Sequence, residues 1–282
     1  METPKELMEA RPKIDSPAAM QDLLEKTRIV GRVLQSNKNV GAPDYPKLAR
    51  LMSDLSVANV YVMSKDGTLL GYAWISEYNC SIMNDILLAE SMPKSYVYKM
   101  NNIQESVLNY TDHGLCAYAD QPCTYSNKNV LIVPINGSGE RLGTLILARF
   151  GHQFDTRDLV LAEYLSTVFA LEILNDRGRL IEKHSRELLV VQMAMKVLSY
   201  SEIESIRHLL KELGATEGVI VASKIADRVG VTRSVIVNAL RKLGSAGILE
   251  SSSLGMKGTY IKVINPLFLE ELGVVFENKR RI

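Results

Sequence analysis

The sequence predicts an α+β chain of more than one domain, and three observations carry that expectation. Its 282 residues are long for a single hydrophobic core. Two β-hairpin signals lie among amphipathic helical patterns in its first half. Near its end a helix–turn–helix pattern runs into a third hairpin, and the charge there is mostly positive. Composition is that of a soluble globular chain, 46% hydrophobic and 23% charged, and it argues against disorder. No run of about 18 apolar residues occurs, so no membrane partner is expected. The first twenty residues mix charges with prolines and lack an apolar signal core. They read as an extension or flexible segment. Cys80, Cys116 and Cys123 form no CxxC pair, and three cysteines cannot close a secreted disulfide framework. The expected compartment is the cytoplasm.

A first domain is expected over residues 21–155. Leu23 to Leu34 and Pro46 to Leu55 have the apolar spacing of amphipathic helices. In "NVYVMSKDGTLLGYAWI" two β-rich runs flank Lys65-Asp66-Gly67, a hairpin signal. "NVLIVPI", "NGSGER" and "LGTLILARF" make another across Val130 to Phe150, and helix follows from about Asp155. Helices, hairpin, variable segment, hairpin and closing helix describe an antiparallel sheet covered by helices. That layout suits a small-molecule sensor of the GAF or PAS kind, although a fold does not name its ligand. No Gly-Lys-Ser/Thr follows the glycines of "NGSGERLG", so they serve a tight turn and not a Walker phosphate loop. His113, Cys116 and Cys123 could offer soft metal ligands, but a fourth is not evident, and no metal is assigned. No Ser/His/Asp or paired-carboxylate arrangement stands out, so no catalytic residue is assigned.

Residues 156–200 are expected as a helical linker, interrupted near Asn175 to Gly178 and again near Ser199 to Ser201. "LLVVQMAMKVL" is more apolar than one exposed helix can carry, which points either to packing within its own chain or to a linker that dimerises and transmits ligand state to the last domain. A third domain is expected over 201–282. From Gly218 to Val263 seven basic residues face only Asp227 and Glu250, a local balance of +5 in a chain of net charge +1. Ser223 is placed as the N-cap of a short helix to Val229. Gly230 gives the turn its freedom, and Thr232 or Ser234 caps a second helix to about Leu243. Ile236, Leu240 and Leu243 form its buried stripe. Ser234, Asn238 and Arg241 lie opposite, with Arg233 at its start. Cations for phosphates, with Arg and Asn forks for base edges, suit a helix entering the major groove. Strands Ile248 to Ser252 and Thr259 to Val263 then flank Gly255-Met256-Lys257-Gly258 as a wing. The expected DNA-contacting set is Ser223, Thr232, Arg233, Ser234, Asn238, Arg241, Lys242 and Lys257, with a palindromic double-stranded operator and a homodimer as partners.

The segments "VVQMA", "LSYSEIE", "GSGERLGTLILAR" and "EGVIVASKIADRVGVTRSVIVNALRKLGSAGILESSSLGMKGTYIKV" resemble the CodY family of global transcriptional regulators of low-GC Gram-positive bacteria. The resemblance runs from about Leu23 to Phe268, closest in the winged helix and looser from Ser76 to Asn129. It implies a GAF sensor domain, a long helical linker and a C-terminal winged helix-turn-helix. It also implies a dimeric repressor of nutrient-responsive genes, governed by branched-chain amino acids and GTP, and it carries DNA contact onto Arg233 and Ser234. In the family an arginine clamps the amino-acid carboxylate; here Ile82 stands at that position. The resemblance keeps Met83, Ile86 and Met92 as apolar lining and puts Cys116 and Tyr118 near an expected threonine and phenylalanine. It places GTP contacts at Ser64 and Lys65, in a turn that has lost two of the family's cations. With Ile82 uncharged and Lys94 the only cation from Ser76 to Tyr96, branched-chain amino acids are expected to bind weakly unless a basic residue folds in from elsewhere. The alternatives are a winged-helix regulator whose sensor takes a different metabolite or serves as a dimer scaffold, and an enzyme with a DNA-binding tail.

Overall fold

The computed structural model describes residues 17–36, 44–75, 80–111, 115–118, 121–123, 125 and 127–275. The chain divides into two compact units, with the boundary between Arg177 and Gly178.

The first unit opens with helices α1 (Pro17–Ser36) and α2 (Tyr45–Ser56). Pro17 to Met20, assigned from the sequence to the N-terminal extension, thus form the first turn of α1. Asp44 starts α2 by accepting the Lys47 amide at 3.0 Å, which satisfies one of the helix's four unpaired donors. Strands β1 (Asn59–Ser64) and β2 (Leu69–Ala73) form the first hairpin, followed by short helices α3 (Ser81–Ala89) and α4 (Lys94–Asn101). Strand β3 (Val107–Tyr110) then precedes the long hairpin of β4 (Lys128–Gly137) and β5 (Glu140–Phe150). The five strands pair antiparallel in the order β2-β1-β5-β4-β3.

This sheet is buried on both faces. Val60, Val62, Leu131, Val133, Leu145 and Leu147 share one core with α1, α2 and the start of α5. Their strand neighbours Tyr61, Met63, Val130, Ile132 and Ile146 share another with α3 and α4. A strand side-chain period of two sorts adjacent residues to opposite faces, so near-continuous apolar runs serve both cores. Each fully buried aliphatic or aromatic side chain contributes about 1.5–3 kcal/mol. β1 and β5 lie so close at Gly143 that a Cβ there would meet the Met63 carbonyl oxygen at 2.3 Å. Arg141, in the same hairpin, donates to the carbonyls of Met100 (3.1 Å) and Ile103 (2.7 Å) and to Thr144 Oγ1 (2.8 Å). It therefore ties the C-terminal end of α4 to the sheet, where a cation suits unpaired helix carbonyls. Burial lowers its pKa.

Helix α5 (Thr156–Lys196) begins in the first unit and runs past the boundary without the break expected near Asn175 to Gly178. Gly178 is exposed, with open space where a Cβ would stand. A single glycine costs a helix only about 1 kcal/mol, too little to end it. The second predicted break does occur, at Val197 to Ser199.

The second unit continues with α6 (Tyr200–Leu213), β6 (Glu217–Ile220), α7 (Ala222–Val229) and α8 (Arg233–Ser245). Strand β7 (Leu249–Ser253), a 3₁₀ turn (Gly255–Lys257), β8 (Thr259–Val263) and α9 (Leu267–Glu271) complete it. Its sheet has the order β6-β8-β7. The wing matches the sequence expectation to within a residue; β6, the third strand, is an addition to it. One core joins Ile206 and Leu209 of α6, Ile225 of α7, Ile236, Leu240 and Leu243 of α8, and Ile261 of β8.

Candidate nucleic-acid interface and effector pocket

In the second unit, helix α7 ends at Gly230, whose φ of 72° lets its N–H cap the Ala226 carbonyl. That left-handed turn redirects the chain into α8, which begins after Thr232. The face of α8 opposite its buried stripe presents Arg233, Ser234, Asn238 and Arg241, all exposed. Thr232 precedes them, and its hydroxyl lies 2.7 Å from that of Ser234. Thr232 makes no side-chain cap. Val237, 45% exposed, lies in the same arc and was not picked out from the sequence. Lys257 stands at the tip of the wing, exposed, beside the fully exposed Met256.

Two residues of the expected set are placed otherwise. Ser223 does not cap α7: the cap position is Val221, and the helix starts at Ala222, with no side-chain cap. Ala222 is buried in the core, so docking of that first residue sets the start, and Ser223 is an exposed side chain in the first turn. Lys242 belongs to α8 but points away from the exposed arc. Its ammonium bonds Glu202 Oε2 at 2.8 Å and the Val197 carbonyl at 3.1 Å. Glu202, only 6% exposed, also accepts the Ser199 amide at 2.7 Å, and Ser199 Oγ accepts the Glu202 amide in return. This capping box and Lys242 together fasten the recognition-helix position to the chain between α5 and α6. Arg228 is likewise engaged, with Glu212 at 2.8 Å.

The first unit holds a pocket on the α3–α4 side of its sheet. It is walled by Tyr61, Met83, Tyr96, Tyr118, Val130 and Ile132, among others, and by one cation, Lys128. Its interior leaves water-sized molecules only about 40 Å³, well below the size of an ordinary small-molecule site, so an amino-acid-sized guest has to spread the walls. Tyr96 and Tyr118 rings meet at 4.7 Å, and the Tyr61 hydroxyl accepts the Trp74 indole N–H at 3.1 Å. Of the pocket residues expected from sequence, Met83, Cys116 and Tyr118 line it. Ile86 and Met92 are buried in the core behind the wall, and Ile82 packs partly buried against that core. Lys94 is exposed at the start of α4 and does not line the pocket. His113 lies outside the described residues.

Lys128 went unnoticed because it is more than forty residues from Ile82 in sequence. Its signal was strand alternation: Lys128, Val130 and Ile132 share one face of β4. Ser64 and Lys65 are elsewhere, in the β1–β2 turn. The Ser64 hydroxyl is donated to Asp66, and that bond leads the causes that hold the Asp66 carboxyl below its usual range.

A sheet-based pocket of this kind and a winged helix with an exposed, cation-bearing recognition face define a ligand-sensing transcriptional regulator. The comparisons with known proteins make it specific. The CodY GAF-like domain matches residues 22–197 and the CodY helix-turn-helix domain residues 216–275. The global transcriptional regulator CodY of Clostridium botulinum strain Hall is 48% identical over 255 residues, covering 90% of this chain and 98% of that protein. The regulator of the same name from Clostridium perfringens strain SM101 is 46% identical with the same coverage. Among solved structures, the cofactor-binding GAF domain of the nutrient sensor CodY from Clostridium difficile aligns at 28% identity with a TM-score of 0.37, covering 54% of this chain and 97% of that one. The chain belongs to the CodY family.

The Glu202 bridge makes the second unit acid-sensitive. Burial pushes the Glu202 carboxyl up, but the bonds from Lys242 and Ser199 outweigh it and hold it below its ordinary value of 4.5. Its stabilisation is therefore present above the unfolded value and lost as pH falls through the lower, folded one. Glu202→Gln is expected to cost about 1–3 kcal/mol at neutral pH and to flatten the stability loss on acidification below 4.5. Urea titrations at a series of pH values measure both; an unchanged acid profile contradicts the assigned bridge.

Proposed function

We propose that this chain is a homodimeric, DNA-binding transcriptional regulator, acting mainly as a repressor in the cytoplasm and modulated by a small effector in the first-unit pocket. The observation that carries it is the arc of Arg233, Ser234, Val237, Asn238 and Arg241 left exposed on a helix whose other side is fully buried. Thr232 and Lys257 join that arc as phosphate and backbone contacts, and Ser223 is placed to meet the backbone from the first turn of α7. Lys242, engaged by Glu202, serves by orienting α8. Support for the pocket's role comes from walls that combine aliphatic, aromatic and hydroxyl groups. A branched-chain amino acid fits that lining. GTP finds less support, because at Ser64 and Lys65 the Asp66 carboxylate opposes a polyphosphate.

A dimer is favoured by the exposed apolar stripe of Leu189, Val190 and Met193 on α5, continued by Val197 just past its end. A monomer rarely leaves such a stripe open, and two recognition helices would read a palindrome with half-sites about one helical turn apart. Sedimentation at micromolar concentration is expected to return roughly twice the 31.4 kDa chain mass. A monomer with unimpaired affinity for a selected operator contradicts it.

Arg233→Ala is expected to weaken binding to a selected operator by about 1–3 kcal/mol and to relax its sequence preference. Lys257→Ala is expected instead to weaken all duplexes alike and to reduce the salt slope. Gel shifts on selected and random duplexes over a salt series separate the two. Arg233→Ala behaving as the unmodified protein on every duplex overturns the recognition-helix assignment.

A further inference from the structure

The first-unit pocket sets one cation among aromatic rings and aliphatic side chains. Lys128 opens β4, and its ammonium lies 3.7 Å from Cys123 Sγ and 6.0 Å from the centre of the Tyr118 ring. Cys123 and Tyr118 both line the cavity with it. Among the described residues these are the partners of its side chain, and neither is a carboxylate. Lys99 touches the Tyr110 ring from 5.1 Å, but it is exposed and does not bound the cavity.

We infer that Lys128 holds the acid group of this chain's effector, an aliphatic monocarboxylate of amino-acid size whose tail lies against Met83, Val130, Ile132 and Ile146. The inference rests on the proposal that this pocket is the effector site. A carboxylate entering an apolar pocket loses hydration that only a cation or well-placed donors restore. Ile82 supplies neither, and its side chain packs against the core behind the wall. Lys128 supplies a compact charge on a flexible stem, in a cavity that Tyr96, Tyr118 and Tyr125 also line. A single cation between apolar walls suits one negative charge and not a polyphosphate. The expectation that branched-chain amino acids bind weakly, drawn from Ile82 and the lack of cations other than Lys94 nearby, excepted a basic residue folding in from elsewhere. Lys128 fills that exception: the charge comes from the sheet and not from the helix.

Calorimetric titration of the full chain with leucine, 4-methylpentanoate and leucinamide tests this, using the unmodified protein and the Lys128→Met, Lys128→Arg and Ala117→Trp variants. Ala117 lines the pocket, and tryptophan there blocks it. Both acids are expected to bind the unmodified protein more tightly than leucinamide does. Lys128→Met is expected to weaken the acids roughly 10- to 150-fold, as for a lost charge-assisted bond, while leaving leucinamide unchanged. Lys128→Arg is expected to retain most of the affinity, and Ala117→Trp to abolish it. Thermal unfolding verifies that each variant is folded; Lys128→Gln takes the place of Lys128→Met should the latter not fold. Acids binding Lys128→Met as they bind the unmodified chain, with Ala117→Trp still blocking, overturn the role of Lys128 and leave the pocket standing. Acids binding Ala117→Trp undiminished, or neither acid binding the unmodified chain at millimolar concentration, overturn the pocket and Lys128 together.

Discussion

Strands β1, β4 and β5 are covered on both faces, and alternation then gives each of their residues one of two fates. Odd and even positions of "NVLIVPI" face different cores, so one face is committed to holding α1, α2 and α5 in place. The other face becomes the floor of the pocket, under α3 and α4. A slip of one residue in register would exchange the two sets. It would also remove Lys128 from the cavity and turn Tyr61 toward the helices. Position-specific chemistry in the sensor therefore depends on strand pairing, which the β4–β5 hairpin and the close approach at Gly143 hold in register.

The second unit depends on a different device. Its core fixes α8 by one side, but apolar contacts alone define a rotation loosely. Lys242 adds a directional bond to Glu202, a side chain already fixed by the capping box at Ser199. The recognition arc is thus oriented by a polar anchor placed at the start of α6. That anchor uses a lysine that the sequence offered as a DNA contact, because position on a helix wheel does not reveal which flanking element reaches the edge of the stripe.

Both hairpins of the first unit, the wing and the recognition helix were legible in the sequence. Each is local: apolar period, turn residues and caps lie within a few positions of one another. What escaped detection was set by tertiary contact. The start of α7 follows the docking of Ala222 and not the capping preference of Ser223. The unbroken course of α5 through Gly178 shows a weak propensity overruled by a long helix. The reading of the pocket drew on the α3 segment, Met92, Cys116 and Tyr118, and of these Met83, Cys116 and Tyr118 line the cavity. It placed Ile82, Ile86 and Met92 there as well, although they pack behind it or against its core. Lys128 joins them only when β4 pairs with β5.

The central claim is that an effector in the first-unit pocket changes how the second unit binds DNA. Fluorescence anisotropy of a selected operator duplex, titrated with the full chain in the presence and absence of saturating leucine, measures that coupling most directly. Coupling free energies of this kind correspond to about 5- to 150-fold changes in affinity, and leucine is expected to tighten operator binding within that range. Superimposable titration curves under conditions where calorimetry finds the protein saturated with leucine would contradict the account.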